Sequence, residues 1–280
     1  MMIKKFIWSL CMAGVMLSCG KSDKDKATPG EPVRPKTMVR VMTYNIYGAR
    51  ASSGAPANLE ALARIINREK PDLVALQEVD VYTRRTGVNV HQAQELARLT
   101  GMEWYFTKAI DVGGGEYGDA VLSRLPILSS KRYALPVAAS VGGEFRTVAM
   151  IRVKKEEHEF YFAATHLDHL AQEDSRLLQA AEIKKIVAGL SLPLILGGDF
   201  NAIPGSRTID IMRSFMSPGC LQQCAFTFPS DNPGRTIDYI MTTPVNSFSV
   251  SRYSSVTGYD EVEKAYASDH RAVVADISIQ

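Results

Sequence analysis

The chain has 280 residues, 46% of them hydrophobic and 22% charged, with a formal net charge of +2. These proportions are ordinary for a soluble globular protein and provide for one large domain or two small ones. Setting aside residues 1–19, which hold Lys4 and Lys5, leaves 30 basic against 30 acidic residues; a non-specific nucleic-acid binder draws its affinity from a basic excess, so this balance counts against a polynucleotide substrate.

Lys4 and Lys5 precede an uncharged run from Phe6 to Leu17, followed by Ser18-Cys19-Gly20. A basic start, a short apolar run and small residues read as an export signal over residues 1–19, too short to span a bilayer. Leu17-Ser18-Cys19 resembles a bacterial lipobox, with Met16 where Leu is usual, and implies Cys19 as a lipid-bearing residue and a membrane anchor. The alternative is a plain cleaved signal in which Cys11 and Cys19 play no part. Residues 20–37, rich in Lys, Asp, Pro and Gly, cannot bury a core and are expected to form a flexible tether. The expectation is an exported monomer held at the cell envelope, periplasmic or on the outer surface, or else secreted.

Residues 38–280 read as one domain. Val39 to Tyr44 is a strand delivering Asn45 at its end. Asn58 caps a helix carrying Leu59, Leu62, Ile65 and Ile66 on one face, closed by Lys70-Pro71. Asp72 to Leu76 is a second apolar strand that stops at Gln77-Glu78, and His91 to Leu99 is a further amphipathic helix. Gly113 to Asp119 is expected to be a flexible loop entering the strand Ala120-Val121-Leu122-Ser123; its glycines lack phosphate-loop spacing. Strands around Ile127–Leu135, Arg146–Val153 and Glu159–Thr165 follow, the last running into His166-Leu167-Asp168-His169. On an extended chain His166 and Asp168 share a face. Glu173 to Leu190 is a helix that turns Leu177, Leu178, Ala181, Ile183, Ile186 and Val187 to the core.

Leu194 to Gly198 is an apolar run ending in Asp199-Phe200-Asn201, a carboxylate and a carboxamide two residues apart at a strand end. A short helix starts at Ser206, and Arg235 to Met241 is a strand that carries Asp238 among apolar neighbours, where a charge needs a partner. Ser268-Asp269-His270-Arg271 leads into a final strand, Ala272 to Ile279. Cys220 and Cys224, four residues apart without a nearby His, make a poor zinc site and form either a small disulfide or two buried thiols.

Apolar strands therefore end repeatedly in carboxylate, carboxamide or imidazole: Asn45, Glu78, His166, Asp168, Asp199, Asn201, Asp238, Asp269 and His270. Surface decoration does not account for such repetition. If these ends converge, they form an acidic pocket with two imidazoles, suited to a hard divalent cation, Mg²⁺ or Mn²⁺, rather than zinc. No Ser or Cys stands in a nucleophile setting such as Gly-x-Ser-x-Gly.

Seven stretches in order, Thr43-Tyr44-Asn45, Leu76-Gln77-Glu78-Val79, Ala120 to Arg124, Thr165-His166-Leu167, Gly198-Asp199-Phe200-Asn201, Ile237-Asp238-Tyr239 and Ser268-Asp269-His270, together resemble the endonuclease/exonuclease/phosphatase (DNase I-like) superfamily, and among its members the bacterial exported metal-dependent hydrolases. The resemblance implies an α/β four-layer sandwich, two packed mixed β-sheets flanked by helices, and hydrolysis of a phosphoester by an activated water. It implies Glu78 as the principal Mg²⁺ carboxylate, with Asn45 and Asp269 near the metal and phosphate. Asp199 would orient or deprotonate the water, Asn201 hold the phosphate or that water, and His270, paired with Asp238, contact the phosphate. His166 would serve the phosphate or leaving oxygen. Tyr117 is left without a role. A small or lipid-type phosphoester is favoured over nucleic acid, with a secreted nuclease as the alternative and a catalytically silent binding protein as a reading from another class.

Overall fold

The computed structural model describes residues 36–220 and 224–280; the signal at 1–19 and nearly all of the tether lie outside the described residues. The end of the expected tether is already structured, because Thr37 opens β1 (Thr37–Asn45) and pairs with Ile279. Strand β1 runs parallel to β2 (Leu73–Val81), and the helix between them, α1 (Leu59–Glu69), is capped by Asn58, whose Oδ1 accepts from Ala61 N at 3.0 Å. Lys70 ends that helix in a left-handed conformation just before Pro71, as the sequence predicts. The same unit recurs in the second half. β7 (His158–His166) runs parallel to β8 (Leu194–Asp199), with α3 (Asp174–Ala188) between them.

Antiparallel strands complete two sheets around these parallel pairs. The first adds β3 (Glu103–Val112), β4 (Gly115–Ser123), β11 (Phe248–Val256) and β14 (Ala272–Ile279), in the order β11-β14-β1-β2-β4-β3. The second adds β5 (Ile127–Leu135), β6 (Arg146–Lys155), β9 (Ser217–Pro218) and β10 (Asp238–Thr243), in the order β5-β6-β7-β8-β10-β9. Helix α2 (Gln92–Thr100), helix α4 (Arg207–Arg213) and a small hairpin of β12 (Tyr259–Asp260) and β13 (Ala265–Tyr266) lie outside the sheets.

Strand alternation sorts the apolar residues into three cores, the signature of four layers. Val39, Val41, Leu73 and Ala75 meet Ile151, Phe160, Phe162 and Ile195 between the sheets. Met42, Tyr44, Val74 and Leu76, from the same two strands, face the other way and are covered by Leu62, Ile65 and Leu96 of α1 and α2. Ala163, Leu194 and Leu196 are covered in turn by Ile183, Ile209 and Met212 of α3 and α4. Gly197 lets the two sheets approach closely: a Cβ there would lie 2.8 Å from Ala75 Cβ and 3.0 Å from Thr43 Cβ. This α/β four-layer sandwich is the architecture expected from the sequence.

Several local expectations are corrected. The glycine segment is not a flexible loop. Gly113 and Gly114, at φ +60° and +85°, form the two-residue turn of a hairpin, and Gly115 to Asp119 already belong to β4. Strands β3 and β11 were not read from the sequence. Helix α3 buries Ser175, Arg176, Gln179, Ala180 and Ile183, whereas Leu178 is exposed. Its polar inner face is used: Arg176 donates to the carbonyls of Asp168 and Leu170, and Gln179 Oε1 accepts from Asp168 N. Cys220 and Cys224 are bridged, with Cα atoms 5.6 Å apart.

Candidate active site

The carboxyl ends of both parallel strand pairs open on one side of the sandwich, where ligands gather in α/β sheets. Register then sets the neighbours. Asp199 is paired with His166 on one side and with Asp238 on the other, and Asn45 is paired with Gln77. Glu78 needs a further device, because simple alternation would not turn both Gln77 and Glu78 to use. A bulge between Leu76 and Val79, with Glu78 at φ +60°, re-aims its side chain into the cleft while Gln77 stays buried and accepts from Thr43 Oγ1.

A cavity of about 320 Å³ results, lined by Glu78, His166, Asp199, Asn201, Asp269 and His270 among the predicted residues. Asn45 lies beneath it, fully buried, and donates from Nδ2 to Glu78 Oε1 and Asp199 Oδ2, each at 3.0 Å. Its Oδ1 is taken by Tyr47 N at 3.1 Å. Asn45 therefore clamps two carboxylates through its nitrogen, with its oxygen turned toward Tyr47 N. Asp238 stands behind His270, with Oδ2 3.0 Å from Nδ1. Asn201, at φ +47°, donates from its backbone N to Asp199 Oδ1 at 2.8 Å, and its Nδ2 meets His166 Nε2 at 2.9 Å.

Electrostatics divide the two imidazoles. Burial alone would lower His270, but the carboxylates of Asp238, Asp199 and Asp269 outweigh it and push the ring up to about 10. His166 goes well below the ordinary range, through burial and then the positive charges of Arg146 and His270. One ring is thus an imidazolium and the other neutral. Burial and the Asp238 charge raise Asp199 to about 7, partly offset by His270 and by the hydrogen bond from Asn201 N. Burial also raises Glu78 and Asp269.

Buried carboxylates raised by desolvation fit a bound cation, and oxygen donors from Glu78, Asp199 and Asp269 fit a hard one. The tightest set of possible ligand atoms among the described residues is instead Asp199, Asp238 and His270, all within 4.8 Å of one another. His270 is itself raised and engaged by Asp238 there, so the oxygen donors of Glu78, Asp199 and Asp269 fit a hard cation better.

The expectation that Asp168 shares a face with His166 in the pocket does not hold, and further residues join the site. Strand β7 ends at His166, so Asp168 turns away from the cavity and accepts from Glu144 N at 2.8 Å and Leu170 N at 3.0 Å. Arg146, Glu144, Arg85 and Phe228 line the cavity without having been singled out, and Tyr117, which was given no role, lines it too. Arg146 is buried, donates to Glu144 at 2.9 Å, and comes within 3.4 Å of both Tyr117 Oη and His166 Nδ1. Its signal was present in the sequence: an arginine entering the apolar strand Val148-Ala149-Met150-Ile151, the same anomaly that marks Asp238.

Residues 42–270 match the Endonuclease/Exonuclease/phosphatase family. Nocturnin of Xenopus laevis is 24% identical over 288 residues, an alignment covering 88% of this chain and 73% of that protein; the match covers 65% of the rat and mouse nocturnins. Among solved structures, an endonuclease/exonuclease/phosphatase from Beutenbergia cavernae superposes with a TM-score of 0.70 at 22% identity, covering 87% of this chain and 72% of that one. The Bacteroides thetaiotaomicron mannosyl-6-phosphatase superposes with a TM-score of 0.64 at 20% identity, covering 85% and 99%. Fold, register and sequence agree: the chain belongs to the endonuclease/exonuclease/phosphatase family.

Proposed function

We propose that the chain is a divalent-metal-dependent hydrolase that cleaves a phosphoester with water. The observation that carries this reading is the position of Asp199. Its Oδ2 is held by Asn45 at 3.0 Å and lies 3.6 Å from His166 Nε2 and 3.7 Å from His270 Nε2. A carboxylate raised to about 7 between a neutral and a charged imidazole can orient a water and accept its proton near neutral pH.

His270, kept protonated by Asp238, donates to a phosphoryl oxygen as negative charge builds there. Arg146 supplies a second fixed cation beside His166, and Asn201 and neutral His166 orient the water or the leaving oxygen. Glu78 and Asp269 would hold Mg²⁺, or Mn²⁺, which supplies Lewis-acid stabilisation of the non-bridging oxygens. The named relatives support phosphoester chemistry in general; one of them is a mannosyl-6-phosphatase.

A small or lipid-type ester is favoured over DNA by the balanced charge of residues 20–280. Export and anchoring at Cys19 belong to the same reading and rest on the Lys4-Lys5 start and the apolar run after it. The test is turnover of bis(p-nitrophenyl) phosphate with Mg²⁺ and with EDTA. Chelator-sensitive release of nitrophenol supports the reading, and no turnover of any phosphoester in a panel of nucleotides, inositol phosphates, sphingomyelin and plasmid DNA removes it. Plasmid cleavage with a steep salt dependence would favour the nuclease alternative.

A further inference from the structure

We propose that Glu144 sets the charge of the substrate, admitting a phosphodiester with one negative charge and opposing the dianion of a monoester. The inference rests on the hydrolase reading above and names its substrate class. The cavity's other carboxylates, Glu78, Asp199 and Asp269, belong to the metal and water set. Glu144 does not. It lies on the wall of Arg146, its Oε2 2.9 Å from Nη2 of that guanidinium and 3.9 Å from His169 Nδ1.

Its placement is built rather than incidental. The side chain of Arg146 is 2% exposed and cannot leave, while that of Glu144 is 37% exposed and faces the cavity. The loop before Glu144 is tied down at several points. Ser175 Oγ donates to Gly142 O at 2.9 Å and accepts from Ala138 N at 3.0 Å. Asp168, wholly buried and unused by the chemistry, accepts from Glu144 N at 2.8 Å. Gly143, at φ +126°, allows that approach, since a Cβ there would lie 2.5 Å from Asp168 Oδ2.

The consequence is electrostatic. Arg146 offers a phosphate one cation, and Glu144 already occupies one edge of it. The Nη1 edge meets Tyr117 Oη and His166 Nδ1, each at a long 3.4 Å, and it is this edge that a substrate oxygen would take over. A diester needs no more than that on this wall. A monoester brings a second negative charge into a cavity where Glu144 repels it, and a like charge a few ångströms away near a protein surface weakens binding by about tenfold or more.

The test compares bis(p-nitrophenyl) phosphate with p-nitrophenyl phosphate at pH 8 with Mg²⁺, for the wild type, Glu144→Gln and Glu144→Asp. Glutamine keeps an oxygen toward Arg146 and removes only the charge. Glu144→Gln is expected to raise kcat/KM for the monoester by about tenfold and to change the diester far less. Glu144→Asp is expected to keep the wild-type ratio. Calorimetric titration with inorganic phosphate provides a readout independent of turnover, with the glutamine variant binding about tenfold more tightly. An equal change in both esters, or an unaltered ratio, overturns the proposal. If no variant turns over either ester, the hydrolase reading falls separately, and a phosphate affinity unchanged by Glu144→Gln removes the charge role of Glu144 as well.

Discussion

His270 Nδ1 and Asp238 Oδ2 lie 3.0 Å apart in the interior, on the last loop before β14 and the first residue of β10. That pair holds a positive charge where burial alone would remove it. A histidine raised to about 10, against an ordinary 6.5, contributes stability that is fully present below about 6.5 and lost as pH rises through about 10. Activity that needs the imidazolium should show an alkaline limb near that value. Asp238→Asn is expected to move the limb toward neutrality and to lower kcat by about 10²- to 10⁴-fold. A pH profile of kcat on both proteins checks it; an unmoved limb would mean that Asp238 does not hold the proton.

Glu78 reaches the cleft only through its bulge, and Asn45 holds it there at 3.0 Å. Glu78→Gln should raise the Mg²⁺ concentration needed for half-maximal activity by about 10- to 100-fold, with partial recovery at high metal. Metal titration of the rate shows whether the loss follows the cation. A loss that no Mg²⁺ or Mn²⁺ concentration relieves would place Glu78 outside the metal set.

Arg146 is buried with a carboxylate on one edge and the reacting cavity on the other. Arg146→Lys keeps the charge but not the planar fork, so kcat/KM should fall by about 10²- to 10³-fold while the fold survives. Circular dichroism and thermal melting separate the two effects.

Asp119 is a buried carboxylate that accepts from Thr147 Oγ1 at 3.1 Å, and burial raises it to about 8. Its folded value lies above the unfolded one, so the folded state binds the extra proton between about pH 4 and 8. Stability is therefore expected to decline with rising pH across that window. Asp119→Asn, neutral throughout, should flatten this decline. Urea midpoints at pH 5 and pH 8 for the two proteins decide it.

Gly197 sits at a close approach of the two sheets, with no room for a methyl beside Ala75 and Thr43. Gly197→Ala should cost about 1–3 kcal/mol by overpacking and lower the melting temperature without changing the metal requirement. A melting temperature equal to the wild type would show that the sheets can separate locally.

The sequence by itself determined the parallel strand pairs, the helices between them and the polar strand ends that line the cavity. Apolar alternation marked the strands of both parallel pairs, Asn58 and Lys70-Pro71 bounded α1, and the polar residues at strand ends identified Glu78, Asp199, Asp238 and His270. These are local signals, carried by neighbouring residues on one segment. Strand β3 escaped because it is half-exposed and lacks clean alternation, and the first half of β4, Gly115 to Asp119, because its glycines read as a loop. Only the tertiary structure decided which ends meet. Strand pairing set Asp199 between His166 and Asp238, the bulge turned Glu78 inward, and a hydrogen bond from Tyr47 N turned the nitrogen of Asn45 toward two carboxylates. It also gave Asp168 to the loop that carries Glu144 and brought Arg146 beside Glu144 and His166. Register, burial and the orientation of an amide depend on partners distant in sequence, and no single segment contains them.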